Sequence, residues 1–410
     1  MIGGGKDLKA FSFVHTADLH LGYSQYGLEA RREDFDRVFQ ELVDSTLELK
    51  PTFMIIAGDF FHSARPSNVT LENAIRNLIR LREENIPVLV VDGSHDSAPN
   101  TITNTILNPL DSAGLIYYLP RHKDACWGKP GCCYVYGVPN FRTRRKTEEM
   151  LKAFIAENKP RPSPETFNIF SFHMAIDLPE LNPPYMEAEA PPELIPEGFN
   201  YYAGGHIHKR YEGKFKGGLL VYPGSTETVN YDEAGNEKGF YHVEVDASGD
   251  ANLQFIKLKS PREFIVLEQN FTGYTASKIT ELAVRLVKEK DKEGAILVPV
   301  LKGTLPAEVS RGDIDIAQIR GAAEKALLVH PVIFLRESGI PETVVRSIFE
   351  SEFKDLKTKS FEYFMEIFSQ RYSKQEAEKI AHAAVNLIEP LVKKDDRRVR
   401  QLLEGLFGED

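Results

Sequence analysis

Eleven histidines occur in the 410 residues, and six of them stand in short polar segments beside glycines, carboxylates or the ends of apolar runs. The segments are Asp18-Leu19-His20, Gly58-Asp59-Phe60-Phe61-His62, Gly93-Ser94-His95-Asp96, the lone His173, and Gly205-His206-Ile207-His208. One histidine is ordinarily a satisfied or surface residue; six in matched contexts are not accounted for that way. Imidazoles mixed with Asp18 and Asp59 suit Mn, Fe or Zn better than Mg or Ca, which favour shells of oxygen. Asp18 and His20 lie two residues apart, so on one extended loop they face the same side and can chelate together, and His206 and His208 repeat that spacing. Two metals sharing a site need a bridging ligand, and Asp59, at the end of an apolar run, is the candidate.

Such groups need rigid elements behind them. Residues 11–16 read as a strand leading to Asp18, and residues 31–49 carry a helical stripe of Phe35, Val38, Phe39, Leu42, Val43 and Leu47 that Pro51 stops. Residues 53–57 form a second buried strand, residues 68–85 a second helix, and residues 86–91 a third strand ending at Gly93, which permits a sharp turn. Each polar loop follows a strand, which is the doubly wound pattern whose strand ends line a ligand crevice. A helix is expected over 101–114 and strands over 134–138 and 167–172. The Pro- and Glu-rich stretch 177–199 reads as a surface excursion. Short strands at hairpin spacing follow at 210–215, 219–222, 240–246 and 252–258. Residues 262–335 then read β-α-β-α-β, and from 341 the pattern is helical to the end.

At about 150 residues per domain the length suits two or three domains. Hydrophobic residues make up 42% and charged residues 27%, an ordinary globular balance. The net charge of −10 argues against a surface that coats DNA generally, though local basic patches and bound metal can still hold phosphates. No run of about 18 apolar residues suggests a membrane span, and the first residues lack the apolar core of a signal peptide. The three cysteines, Cys126, Cys132 and Cys133, form no C-x-x-C pair and read as reduced thiols, so the expected location is intracellular, cytoplasmic or on the nucleoid.

The five polar segments, in this order, resemble the calcineurin-like metallophosphoesterases. Ala17-Asp18-Leu19-His20-Leu21-Gly22, Gly58-Asp59-Phe60-Phe61-His62, Gly205-His206-Ile207-His208-Lys209 and Tyr222-Pro223-Gly224-Ser225 are similar to the nuclease branch, the SbcD and meiotic-recombination-eleven family of double-strand-break repair. By motif the likeness covers about residues 10–260. It implies an α/β fold, a two-sheet sandwich flanked by helices, with a nuclease domain over 1–260, a small α/β DNA-binding capping domain over 261–336 and a helical segment over 337–410 that grips a coiled-coil SMC-like ATPase of the SbcC type. It further implies two Mn2+ ions, in preference to Mg2+, Fe or Zn, one held by Asp18, His20, Asp59 and His208 and the other by Asp59, residue 94, His173 and His206. His95 would protonate the leaving 3′ oxygen, and His62 would orient the scissile phosphate. The implied activities are 3′-to-5′ exonuclease on duplex ends and endonuclease on single strands, in a homodimer joined through helices near 69–84 and 101–112, with no membrane partner.

Position 94 departs from the family, which has Asn there. The Ser94 hydroxyl is on a shorter arm and is a weaker ligand, with room for a bridging water. A natural variant and a deliberate replacement both fit an otherwise intact ligand set, and both imply a weaker second metal and a slower nuclease. Two rival readings are a scaffold that keeps DNA and ATPase contacts but cleaves poorly, and a phosphodiesterase for small substrates. His15 reads as support for its strand end, and His122, His242, His330 and His382 as ordinary. Arg142, Arg144, Arg145 and Lys146 could touch a DNA backbone or begin a solvated helix. Phe361, Phe364, Met365 and Phe368 form a stripe that suits a core or a partner-binding helix.

Overall fold

Alternate residues of the central strands face two different cores, and that alternation builds the layers. A computed structural model of the chain describes residues 8–97, 104–141, 144–181, 188–307, 309–337, 353–369 and 372–392. The chain runs through β1 (Phe11–Thr16), α1 (Glu29–Leu49), β2 (Phe53–Ala57), α2 (Asn68–Glu83), β3 (Val88–Val91), α3 (Leu107–Ser112) and β4 (Tyr117–Tyr118). It continues through β5 (Cys126–Lys129), β6 (Cys133–Gly137), α4 (Arg144–Asn158), β7 (Phe167–His173), β8 (Tyr201–Gly205), β9 (Tyr211–Phe215), β10 (Gly218–Tyr222), β11 (Gly239–Val245) and β12 (Ala251–Lys257). One sheet has the order β12-β11-β1-β2-β3-β4 and the other β5-β6-β7-β8-β10-β9.

Phe13, Phe53, Ile55, Leu89 and Val91 of the first sheet pack with Cys133, Val135, Ile169, Tyr201 and Ala203 of the second. Their neighbours Val14, Met54, Ile56, Val88 and Val90 lie instead with Val38, Phe39 and Leu42 of α1 and Leu78 and Leu81 of α2. The period of two is that of a pleated strand, and because both faces are covered the strands read as continuous apolar runs. β1, β2 and β3 pair in parallel, so the loops after them share one edge. β11 crosses back to pair antiparallel with β1, a return that hairpin spacing alone does not reveal.

Several expectations change. The 177–199 stretch, of which 182–187 lies outside the described residues, is not a surface excursion. Leu181, Ala190, Ile195 and Phe199 are buried in a third core with Phe170, Phe172, Tyr202 and Tyr222. Prolines deny it regular hydrogen bonding but do not stop its apolar side chains from covering a sheet. The helix expected over 101–114 shortens to α3, with 101–103 outside the described residues.

By compactness the chain divides into two units. The first is Met1–Leu267 with Val287–Val298 and Ala323–His330; the second is Glu268–Leu286, Pro299–Ala322 and Pro331–Asp410. Further elements are β13 (Phe264–Asn270), α5 (Ala276–Glu289), β14 (Ile296–Leu305), α6 (Ile316–Arg320), β15 (Leu328–Val329) and β16 (Val332–Glu337), the strands forming a four-stranded sheet. The last strand of the β-α-β-α-β pattern is split into β15 and β16 by His330 and Pro331, whose missing N–H cannot continue a ladder. The second helix of that pattern, α6, is short and ends at Gly321. Within the second unit α7 (Phe353–Ser369) and α8 (Lys374–Val392) pack together, with Ala377 and Ala381 buried and the Phe361 and His382 rings 4.4 Å apart. The beginning of the helical pattern expected from 341, up to residue 352, lies outside the described residues. No helix among the described residues is long and apolar enough to cross a membrane.

A buried ion network fastens α1 to the loop before β11. The Arg31 side chain is fully buried. Its Nε donates to Gln25 Oε1 at 2.9 Å, its Nη1 to Asp34 Oδ2 at 2.5 Å and its Nη2 to the Thr228 carbonyl at 2.9 Å, with Glu227 Oε1 at 3.4 Å. Arg262 pairs with the other side of Asp34 and donates its backbone N–H to Glu227. Removing one member strands opposite charges away from water. Arg31→Ala is therefore expected to destabilise the fold by about 3–5 kcal/mol, as read from urea unfolding.

Candidate metal centre

The loops after β1 and β2 are laced together by backbone bonds before any ligand is considered. Asp18 N–H donates to the Gly58 carbonyl at 3.1 Å, His20 N–H to the Asp59 carbonyl at 2.9 Å, and His62 N–H to the Leu21 carbonyl at 3.0 Å. Side-chain carboxylates complete the lacing. Asp96 accepts from Gly93 N and Phe60 N, each at 2.7 Å, and from Phe61 N at 3.2 Å. Asp59 Oδ1 accepts from His95 N at 2.8 Å, and Asp18 Oδ2 from His206 N at 3.1 Å. Asp96 thus supports the loops rather than facing the site.

The backbone here is forced. Asp18, His20, Asp59 and His206 have φ of 53°, 47°, 49° and 92°, the left-handed region that side chains other than glycine's seldom adopt. Close approach explains two motif glycines. A Cβ on Gly205 would lie 1.8 Å from the Ala57 carbonyl oxygen, and one on Gly93 2.1 Å from Asp59 Oδ1. Gly93 is absent from the left-handed residues, so its role is to let Asp59 approach rather than to supply the bend that the sequence suggests.

Two sets of ligand atoms converge within 4.8 Å of one another: Asp18, His20 and His208, and Asp18, Asp59 and His173. Asp59 Oδ2 lies 3.8 Å from His20 Nε2 and 3.2 Å from His173 Nε2, so this carboxylate stands between the two sets. His208 Nε2 is 3.3 Å from His20 Nε2 and 3.6 Å from Asp18 Oδ1. His173 Nδ1–H donates to the Ala57 carbonyl at 2.8 Å, which leaves its buried Nε2 without a hydrogen bond beside two carboxylates. That orphaned nitrogen fits a cation. Burial disfavours charge on His173, but Asp59 and then Asp18 overcome it and raise its pKa to about 10, a measure of negative potential that a divalent ion would neutralise.

His206 and Ser94 are less converged. The His206 ring lies 5.2 Å from that of His173, and its Nε2 is 3.6 Å from Glu189 Oε2. Ser94 is exposed, and its hydroxyl is directed at Asp59 Oδ2 at 3.4 Å, donating to the shared carboxylate. Neither residue is in either converging set.

His62 and His95 stand beside these sets, their rings stacked with centroids 4.7 Å apart, and Tyr23 stacks on His62 at 3.7 Å. His95 Nδ1–H donates to the His62 carbonyl at 3.0 Å, which directs the chemistry of His95 to Nε2. His20, His62 and His95 also bring nitrogens within 4.8 Å. Burial, then His95, lowers His62 to about 4. His15 is buried, hydrogen-bonded to Tyr201 Oη at 2.9 Å, and supports its strand as expected. Arg142 and the side chains of Arg144, Arg145 and Lys146 lie outside the described residues.

No local pattern singles out Tyr23, Glu189 or Glu233. Glu233 closes a capping box with Asn230, and Asn-x-x-Glu was the only signal available for it. Because the space beside Gly205 is backbone and cannot yield, Gly205→Ala is expected to cost about 3 kcal/mol in denaturant unfolding.

The calcineurin-like phosphoesterase family model matches residues 11–210. The DNA double-strand break repair protein Mre11 of Methanocaldococcus jannaschii is 33% identical over 273 residues, 62% of this chain and 68% of that protein. Mre11 of Archaeoglobus fulgidus is 30% identical over 318 residues, 73% of this chain and 70% of that protein. Mre11 of Thermoplasma acidophilum is 26% identical over 418 residues, covering 97% of this chain and 98% of that protein. With these matches spanning the strands and loops that carry the site, the chain belongs to the Mre11 family of DNA double-strand break repair proteins, within the calcineurin-like phosphoesterases.

Proposed function

We propose that the chain is a Mn-dependent DNA nuclease of double-strand-break repair, a 3′-to-5′ exonuclease on duplex ends and an endonuclease on single strands. The observation that carries this reading is the pair of buried carboxylates, Asp18 and Asp59, set among imidazoles with His173 Nε2 orphaned between them. One metal would be held by Asp18, His20, Asp59 and His208, the other by Asp59, residue 94, His173 and His206. Such ions, when bound, polarise a phosphate and supply a nucleophilic water near neutral pH. The chain's own groups do the rest. His95 delivers a proton from Nε2 to the leaving 3′ oxygen, its ring fixed through Nδ1 by the His62 carbonyl. His62, held between Tyr23 and His95, orients the scissile phosphate.

The remaining parts follow the same reading. Residues 261–336 serve as a capping domain that contacts DNA, and residues 337–410 bind a coiled-coil SMC-like ATPase. In support, Phe361, Phe364, Met365 and Phe368 are only half-buried on α7, an apolar stripe available to a partner. A homodimer would use the helices near 69–84 and 101–112; Val69 at the start of α2 is 54% exposed. The protein would act inside the cell.

A second reading, a scaffold that binds DNA and the ATPase but cleaves poorly, is favoured by one observation, the Ser94 hydroxyl turned toward Asp59. Mn2+ titration against a labelled duplex, with ATPase binding assayed separately, distinguishes the two. On the nuclease reading, Ser94→Asn raises the Mn2+-dependent exonuclease rate about tenfold or more. An unchanged rate counts against residue 94 as a ligand, and absence of DNA cleavage in both chains leaves the scaffold. His95→Asn is expected to lower the rate by about 10²–10⁴-fold while Mn2+ binding persists.

A further inference from the structure

Glu233 lies in a pocket made entirely of hydrogen-bond donors. Its Oε1 accepts from His208 Nδ1 at 2.7 Å and from Asn230 N at 3.1 Å. Its Oε2 accepts from Lys238 Nζ at 2.7 Å, Ser225 Oγ at 3.0 Å and Val229 N at 3.2 Å. Ser225 in turn accepts from Lys238 Nζ at 2.7 Å, which commits its proton to Glu233. Glu233 and Lys238 are buried, and their loop is pinned by Gln25 Nε2 on the Val229 carbonyl at 2.8 Å and by Arg31 on the Thr228 carbonyl. The cap of a short helix needs only the Asn230 bond; it does not need a buried lysine or a histidine.

We infer that Glu233, charged and fixed by Lys238 and Ser225, is a positioning residue that holds the His208 proton on Nδ1 and so keeps the Nε2 lone pair directed at Asp18 and His20. The inference rests on the reading of His208 as a metal ligand. Carboxylates that fix the tautomer of a ligating histidine are a general device of metal sites. Here the donor census makes the demand specific. An amide at 233 must place an NH2 where one carboxylate oxygen was. On the Oε2 side it would face an ammonium and an N–H, which cannot accept, and the Ser225 hydroxyl, which would have to turn its own proton away while still accepting from Lys238. On the Oε1 side it meets His208, which exchanges roles by moving its proton from Nδ1 to Nε2 and keeps every donor on the Oε2 side in place. Glu233→Gln therefore transfers a proton to the nitrogen that faces the ligand set, without altering any residue of that set.

The test combines ring-15N histidine NMR of the metal-free chain with Mn2+ titration followed by the EPR signal of the free ion. The His208 resonances are assigned by their loss in His208→Asn. In the unsubstituted chain, His208 shows a protonated Nδ1 and an unprotonated Nε2. In Glu233→Gln the pattern reverses, and the Mn2+ affinity of one site falls about 10–100-fold. Finding the proton on Nε2 in the unsubstituted chain overturns the inference whether or not Glu233→Gln folds. An unchanged tautomer and affinity in Glu233→Gln overturns it while leaving the metal reading standing. An unsubstituted chain with the expected His208 pattern but no Mn2+ binding overturns the metal reading instead.

Discussion

Asp59 divides its two oxygens between scaffold and site, and the centre depends on that division. Oδ1 is committed to the backbone N–H of His95, which fixes the loop after β3 against the loop after β2. Oδ2 faces His173, His20 and Ser94. Asp18 does similar double duty, accepting from His206 N while lying near His173 and His208. Each carboxylate is thus a structural fastener and a candidate ligand at once, so the loops cannot be assembled without also assembling the site. Electrostatic preorganisation of this kind is set by folding rather than by binding.

The two groups of buried charges in the first unit contrast usefully. Around Arg31 every charge has a fixed opposite: Asp34 lies between Arg31 and Arg262, and Glu227 completes the network. Among the described residues no arginine or lysine pairs with Asp18 or Asp59, only imidazoles that must choose between charge and ligation. Burying carboxylates without a resident cation is costly unless an outside cation completes them. The first group is a closed network that holds the fold; the second is open.

Much of the site was legible because strand-end loops concentrate their polar residues in contiguous motifs. Asp18-x-His20, Gly58-Asp59, Gly93-x-His95-Asp96 and Gly205-His206-x-His208 each report a local backbone need together with a side-chain need. The central strands were legible for a related reason, since burial on both faces makes them uninterrupted apolar runs. What was not legible has no local pattern. Glu233 meets His208 across a 25-residue separation and resembles an ordinary cap. The cover formed by Leu181, Ala190 and Ile195 carries no periodicity, because prolines hold it in irregular backbone. Gly93 reads as a bend in the sequence, because the close approach of Asp59 from another loop leaves no local mark.

The left-handed backbone at Asp18, His20, Asp59 and His206 has an evolutionary corollary. At all four positions glycine would relax the main chain, and at all four it would delete a group the site needs. Screening variants for heat tolerance alone would therefore drift toward well-folded, inert proteins, whereas screening for turnover preserves the strain. Persistence of non-glycine residues at these positions in a stabilised lineage would mark retained chemistry.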